Sequence, residues 1–145
     1  MLGTNDSAIS GPNGAPVSPD EYRANLKTIA DSLFARYPDC RIVINHPIWY
    51  SENTANGHST YMHEGLTRLQ SYFDEIDVLI KNYKSSRPNH VFLGDTKAFK
   101  YFEKHYQTDL CEETGPHGKF YLHPNEKGAV ELGNYWGKAI AKALK

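Results

Sequence analysis

Cysteine is scarce in this chain of 145 residues: Cys40 and Cys111 stand far apart, with no partner at metal-type spacing. Two ordinary thiols are expected, neither a disulfide framework nor a zinc cluster. No apolar run approaches the roughly 20 residues that a membrane-spanning helix needs, so no membrane span is expected. The first residues carry no secretory signal pattern. Neither sign of charge dominates: 16 Lys and Arg oppose 17 Asp and Glu for a net charge of −1, and the two are mixed along the chain. That balance speaks against a general affinity for nucleic acid or acidic lipid. No Gly-rich phosphate loop, internal repeat or low-complexity tract occurs, which disfavours a nucleotide or flavin binder, and no cofactor is expected. What is present is ordinary globular composition, 39% hydrophobic with 12% aromatic residues, enough for one domain with a modest core.

Breakers punctuate the first stretch, where Gly3, Gly11, Pro12, Asn13, Gly14 and Pro16 predict loop. Met1 and Leu2 read as the end of a buried strand whose earlier part is missing. Ser18-Pro19-Asp20-Glu21 is a strong helix start: a capping hydroxyl, a proline suited to the first helical position, and two acids at the positive end of the dipole. Tyr22, Leu26, Ile29, Leu33, Phe34 and Tyr37 follow at helical spacing and predict one buried face, ended by Pro38-Asp39. Arg41 to Asn45 and His90 to Gly94 are short β-branched or apolar runs that predict parallel strands covered on both faces. Between them lies a long polar segment, His46 to Tyr61, carrying Trp49 and Tyr50, then a helix over Met62 to Lys84. Helical character returns over Thr96 to Tyr106, Cys111 to Gly118 reads as loop, and a last helix is expected from Pro124. In that helix Ala129 or Val130, Leu132, Trp136, Ile140 and Leu144 are expected to face inward.

Alternation of this kind implies an α/β protein with a parallel sheet. Two strands leave edges that such a sheet normally pairs, so further strands are expected from upstream sequence or from another chain, with self-association through the open edge as one route.

Two short segments carry chemistry. Gly3-Thr4-Asn5-Asp6-Ser7 follows the presumed strand end, where ligand sites form in open α/β sheets. The Asn5 carboxamide offers neutral N–H donors to a developing oxyanion. Leu122-His123-Pro124-Asn125 places an imidazole just before a helix, with Pro124 restricting the backbone beside it. Taken together, these blocks resemble those of the SGNH (GDSL-type) hydrolases: Met1 to Ser7 is similar to the G-x-N-D block, and Tyr121 to Gly128 to the block bearing the catalytic histidine. Nearly the whole chain resembles the C-terminal two-thirds of that family. The resemblance implies a three-layer flavodoxin-like fold, truncated at the N-terminus, and a single SGNH-like domain over residues 1–145. It implies an ester hydrolase in which a serine attacks, Asn5 stabilises the oxyanion and His123 moves the proton, with Gly3, Asp6 and Pro124 shaping the site.

The departures from the family pattern are specific. The Gly-Asp-Ser block and the second block's glycine are absent, so the nucleophile is expected upstream of Met1. Ser7 reads as a loop-stabilising hydroxyl. Leu93-Gly94-Asp95-Thr96 mimics the nucleophile block, but only for a permuted chain. Phe120 stands where the family's D-x-x-H acid would be, so an acid to orient His123 has to come from elsewhere: Asp95 at the end of a strand, or Glu112 or Glu113. Trp49 and Tyr50 are candidate substrate contacts, suited to a small acyl ester, such as an acetyl group on carbohydrate. The histidines show no zinc-pair spacing, and no metal site is expected. The competing expectation is a non-catalytic remnant or binding module that keeps the oxyanion pocket.

Overall fold

The computed structural model describes residues 2–12 and 14–145; Met1, expected in a strand, and Asn13, a predicted loop breaker, lie outside them. A single-turn helix, α1 (Thr4–Ser7), is followed by α2 (Pro19–Arg36), strand β1 (Ile42–Ile44), α3 (Met62–Ser86) and strand β2 (Val91–Leu93). Helix α4 (Ala98–Asp109), strands β3 (Leu110–Gly115) and β4 (Gly118–Pro124) and helix α5 (Glu126–Ala143) complete the order. The chain is therefore mixed α/β, with β1 and β2 parallel and β3 and β4 antiparallel.

Helix α2 starts where its sequence says it should. Ser18 caps it by accepting from the Glu21 N–H, Pro19 occupies the first turn, and the helix ends before Pro38. Its buried stripe is Tyr22, Leu26, Ala30 and Phe34, which meets α3. Tyr22 stacks on Tyr72 with ring centroids 4.0 Å apart, and Phe34 meets Tyr83 edge-on. Arg23 pairs with Glu75 at the helix–helix rim. Tyr72, Ile76 and Leu79 of α3 are fully buried, each stabilising the fold by roughly 1.5–3 kcal/mol through area removed from water.

Strands β1 and β2 pair in register Ile42↔Val91 to Ile44↔Leu93, and the pairing is extended beyond the strands by the His46 N–H donating to the Asp95 carbonyl at 2.9 Å. The burial on both faces that the sequence predicts for these strands is not found. Ile42, Val43 and Ile44 are half-buried and Leu93 is exposed. The apolar stripe of α2 is wider than the face α3 covers, so Ile29 and Leu33, expected inside, stay exposed. With Leu2 they line an open apolar cavity along β1, and among the described residues each parallel strand keeps one edge without a strand partner.

Two further expectations are corrected. Residues Cys111 to Gly118, read as loop, form most of a hairpin, turning through Pro116 and His117 with Gly118 at φ 90°. Strand β3 alternates in burial, but its sequence after Cys111 is Glu-Glu-Thr-Gly, so no period-two apolar pattern marks it. Helix α5 begins after Pro124, capped by the Asn125 side chain accepting from the Gly128 N–H. It seats on α4 and the hairpin through Gly128 and Leu132, so Val130, Ile140 and Leu144 face solvent and Trp136 is half-buried. Cys40 and Cys111 are free thiols.

Candidate functional site

The loop bearing Asn5 is shaped by its neighbours. Gly3 sits at φ 118°, a region that side chains disfavour, and a Cβ there would press on the Tyr22 and Tyr72 rings at 3.2–3.3 Å. The Tyr22 hydroxyl donates to the Leu2 carbonyl and the Tyr72 hydroxyl to the Val17 carbonyl, tying both ends of the loop to the α2–α3 layer. One helical turn follows, closed by the Ser7 N–H donating to the Gly3 carbonyl at 2.9 Å. Ser7 is fully buried, its hydroxyl bonded to the Thr4 carbonyl and the Tyr50 hydroxyl, and Arg68 donates to the Ser7 carbonyl from α3. Its role as a bracing hydroxyl is thus the one the geometry supports. The Asp6 carbonyl accepts from the Val17 N–H, and burial holds the Asp6 carboxyl above the usual range, partly offset by a backbone hydrogen bond. Asn5, at the apex of the turn, is exposed.

The other half of the site comes from the hairpin. Phe120 and Leu122 of β4 point into the core, and the strand is stitched to the 46–61 segment by the Ser51 N–H donating to the Tyr121 carbonyl and the Tyr121 N–H to the Ser51 hydroxyl. That segment has no helix or strand, yet its first part is core: His46 to Ser51 are all buried. His123 stands near the end of β4, two residues before the α5 cap; it is not at the helix start itself. Its side chain is 66% exposed, and its Nδ1 lies 2.9 Å from Oε1 of Glu113 on β3. A carboxylate only accepts, so the proton of this bond sits on Nδ1, and in the neutral ring the lone pair is on Nε2.

These two halves converge. One cavity of about 150 Å³ is lined by Thr4, Asn5, Ile48, Trp49, Tyr50, Leu122, His123 and Pro124. A second, adjoining it through Asn5, Leu122 and His123, adds Asp6, Asn56, Ser59 and Tyr61. Trp49 and Tyr50 contribute as walls: Tyr50 is fully buried with its hydroxyl on Ser7, and the Trp49 ring leans on Tyr106 with centroids 5.2 Å apart. Neither is an open stacking platform.

Asp95 is corrected out of the site. It is buried, its carboxylate caps α4 by accepting from the Lys97 and Ala98 N–H groups, and the cavity it borders is a different one that includes neither Asn5 nor His123. Gly94 and Thr96 line that same separate cavity, so the nucleophile-like Gly94-Asp95-Thr96 lines neither of the cavities that hold His123. Of the two glutamates considered, Glu112 pairs with Lys119 and Tyr121, leaving Glu113 as the one on His123. Sequence reasoning missed Tyr61, whose hydroxyl donates to Oδ1 of Asn5 at 3.0 Å; no spacing in the sequence points from position 61 to position 5.

No protein-family model, curated protein or solved structure matches this chain. Among the described residues no group of three or more His, Cys, Asp or Glu side chains is gathered as metal ligands, and no helix is long and apolar enough to cross a membrane.

Proposed function

We propose that this chain carries the oxyanion and proton-transfer half of an ester-hydrolysing site of the SGNH type, on a flavodoxin-like α/β fold. The observation that carries this reading is that Asn5 and His123, distant in sequence, line the same cavities, with His123 braced by Glu113. An acyl ester held there places its carbonyl oxygen toward the Asn5 amide. As the nucleophile's oxygen bonds to the carbonyl carbon, its proton passes to Nε2 of His123 and the carbonyl π electrons move onto the oxygen facing Asn5. Collapse of the tetrahedral species reforms the carbonyl and expels the alcohol, which takes the proton back from His123. Glu113 stabilises the imidazolium formed in between. Among the described residues no serine or threonine hydroxyl is bonded to His123, and water activated by His123 is the nucleophile that this arrangement by itself supports.

The cavity also suits a substrate class. About 150 Å³ matches an engineered pocket that takes benzene, room for an acetyl or other short acyl group. An acetyl ester of a carbohydrate fits, with the sugar outside the cavity.

A second reading is favoured by one observation: among the described residues no serine or threonine hydroxyl is hydrogen-bonded to His123. A module that binds small acyl groups without cleaving them would show the same geometry. Hydrolysis of p-nitrophenyl acetate by the purified chain separates the two. The hydrolase reading expects a rate above buffer that His123→Ala abolishes and serine-directed phosphonates leave untouched. Phosphonate labelling would instead place a nucleophile in this chain, at Thr4 or Ser59 of the cavity walls. A background rate accompanied by acetate-induced shifts at Asn5 and His123 supports the binding module, and a background rate with no such shifts removes both readings.

A further inference from the structure

A carboxamide is useful to an oxyanion in one orientation only. Rotated by 180° about its last torsion, Asn5 would present its carbonyl oxygen to the developing negative charge and repel it. The exposed position of Asn5 does not by itself choose between the two. We propose that Tyr61 is the positioning residue that makes this choice by holding the amide oxygen of Asn5, an inference that rests on reading Asn5 as the oxyanion donor.

Tyr61 is suited to the task because it is itself fixed. It is 3% exposed, and its ring meets Tyr50 edge-on with centroids 5.3 Å apart. Its backbone is held on both sides: the Tyr61 N–H donates to the Thr54 carbonyl at 3.0 Å, and the Tyr61 carbonyl accepts from the Gly65 N–H at 2.8 Å at the start of α3. The hydroxyl therefore arrives at Asn5 on a rigid lever. It donates to Oδ1 at 3.0 Å, which turns both Nδ2 protons away from Tyr61. Burial raises the Tyr61 pKa, with the Ser59 hydroxyl partly offsetting it, so the phenol keeps the proton it donates. Tyr61, Asn5 and His123 share the wall of one cavity. Asn5 is thus held at its amide oxygen by one hydroxyl, and among the described residues no side chain accepts from its N–H groups.

The test is a double-mutant cycle read by NMR and by hydrolysis. The uniformly ¹⁵N-labelled chain is titrated with acetate, a negatively charged oxygen ligand of acyl size, and the Asn5 side-chain amide signals are followed. In the wild type they shift. Tyr61→Phe keeps the ring and removes the hydroxyl; it is expected to weaken acetate binding about fivefold, the scale of one neutral hydrogen bond, and to lower kcat for p-nitrophenyl acetate similarly with KM little changed. Asn5→Ala removes both the acceptor for Tyr61 and the donor to the ligand without adding charge, so Y61F added to N5A is expected to cost nothing further in acetate binding. Equal losses from Y61F in the wild-type and N5A backgrounds would show a merely structural role and overturn the proposal. So would wild-type affinity and wild-type Asn5 amide signals in Y61F, which leave the site itself standing. If the wild-type Asn5 amide ignores acetate altogether, the oxyanion reading fails and the proposal falls with it.

Discussion

Replacing Asp109 by asparagine probes the joint that carries His123. Asp109 closes α4, has no solvent exposure, and accepts from the Tyr101 hydroxyl at 2.7 Å, the Thr108 hydroxyl at 2.6 Å and the Lys127 ammonium at 2.6 Å. Its carbonyl accepts from the Asn125 N–H, so the same residue clamps the β4–α5 junction just past His123. Burial alone would raise this carboxyl; the bonds from Lys127, Thr108 and Tyr101 outweigh it and hold the pKa down at about 2, against an ordinary 3.8. A depression of that size corresponds to about 2 kcal/mol of folding stability from the ionised form. Because the folded pKa lies below the unfolded one, the contribution is complete above about pH 4 and is lost as pH falls toward 2. Asp109→Asn is therefore expected to lower stability by about 2 kcal/mol at pH 7, roughly 5 °C in Tm for a domain of this size. Urea unfolding of both proteins at pH 7 and at steps down to pH 2.5 measures it, with the gap between them narrowing through the acid range. A gap of the same size at pH 2.5 and pH 7 would refute the idea that an ionised, hydrogen-bonded carboxylate is what stabilises this joint.

Glu113→Gln retains the size of the side chain and removes the charge bonded to His123; on the proposed function, hydrolysis of p-nitrophenyl acetate is expected to fall about tenfold with an unchanged circular dichroism spectrum. Gly3→Ala forces a Cβ into a left-handed backbone between two tyrosine rings and is expected to cost at least 1–2 kcal/mol, seen as a lower urea midpoint. Ser7→Ala strands the buried Tyr50 hydroxyl without its Ser7 partner, and a loss of about 1–3 kcal/mol in chemical denaturation is expected.

Local chemistry, readable one residue at a time, determined much of this protein. The Ser18 cap and Pro19 set the start of α2, and β-branched Ile42-Val43-Ile44 marked a strand that pairs in parallel with Val91-Phe92-Leu93. Gly3-Thr4-Asn5-Asp6 and His123-Pro124 named the two halves of the candidate site, and the structure lines the same cavities with both Asn5 and His123. Everything that depends on which surfaces meet was left to the tertiary structure. The hairpin was hidden because the inward positions of β3 after Cys111 carry no apolar side chain, leaving no alternating apolar residues to read. The acid on His123 comes from the neighbouring strand, across a pairing that only the folded hairpin creates, while Asp95 is consumed in capping a helix. Ile29, Leu33, Val130 and Ile140 carry helical periodicity yet face outward, since periodicity reports that a helix has an apolar side and says nothing of how much of that side a neighbour covers. Tyr61 reaches Asn5 across the fold for the same reason: a hydrogen bond between distant residues is a property of packing, and no local pattern encodes it.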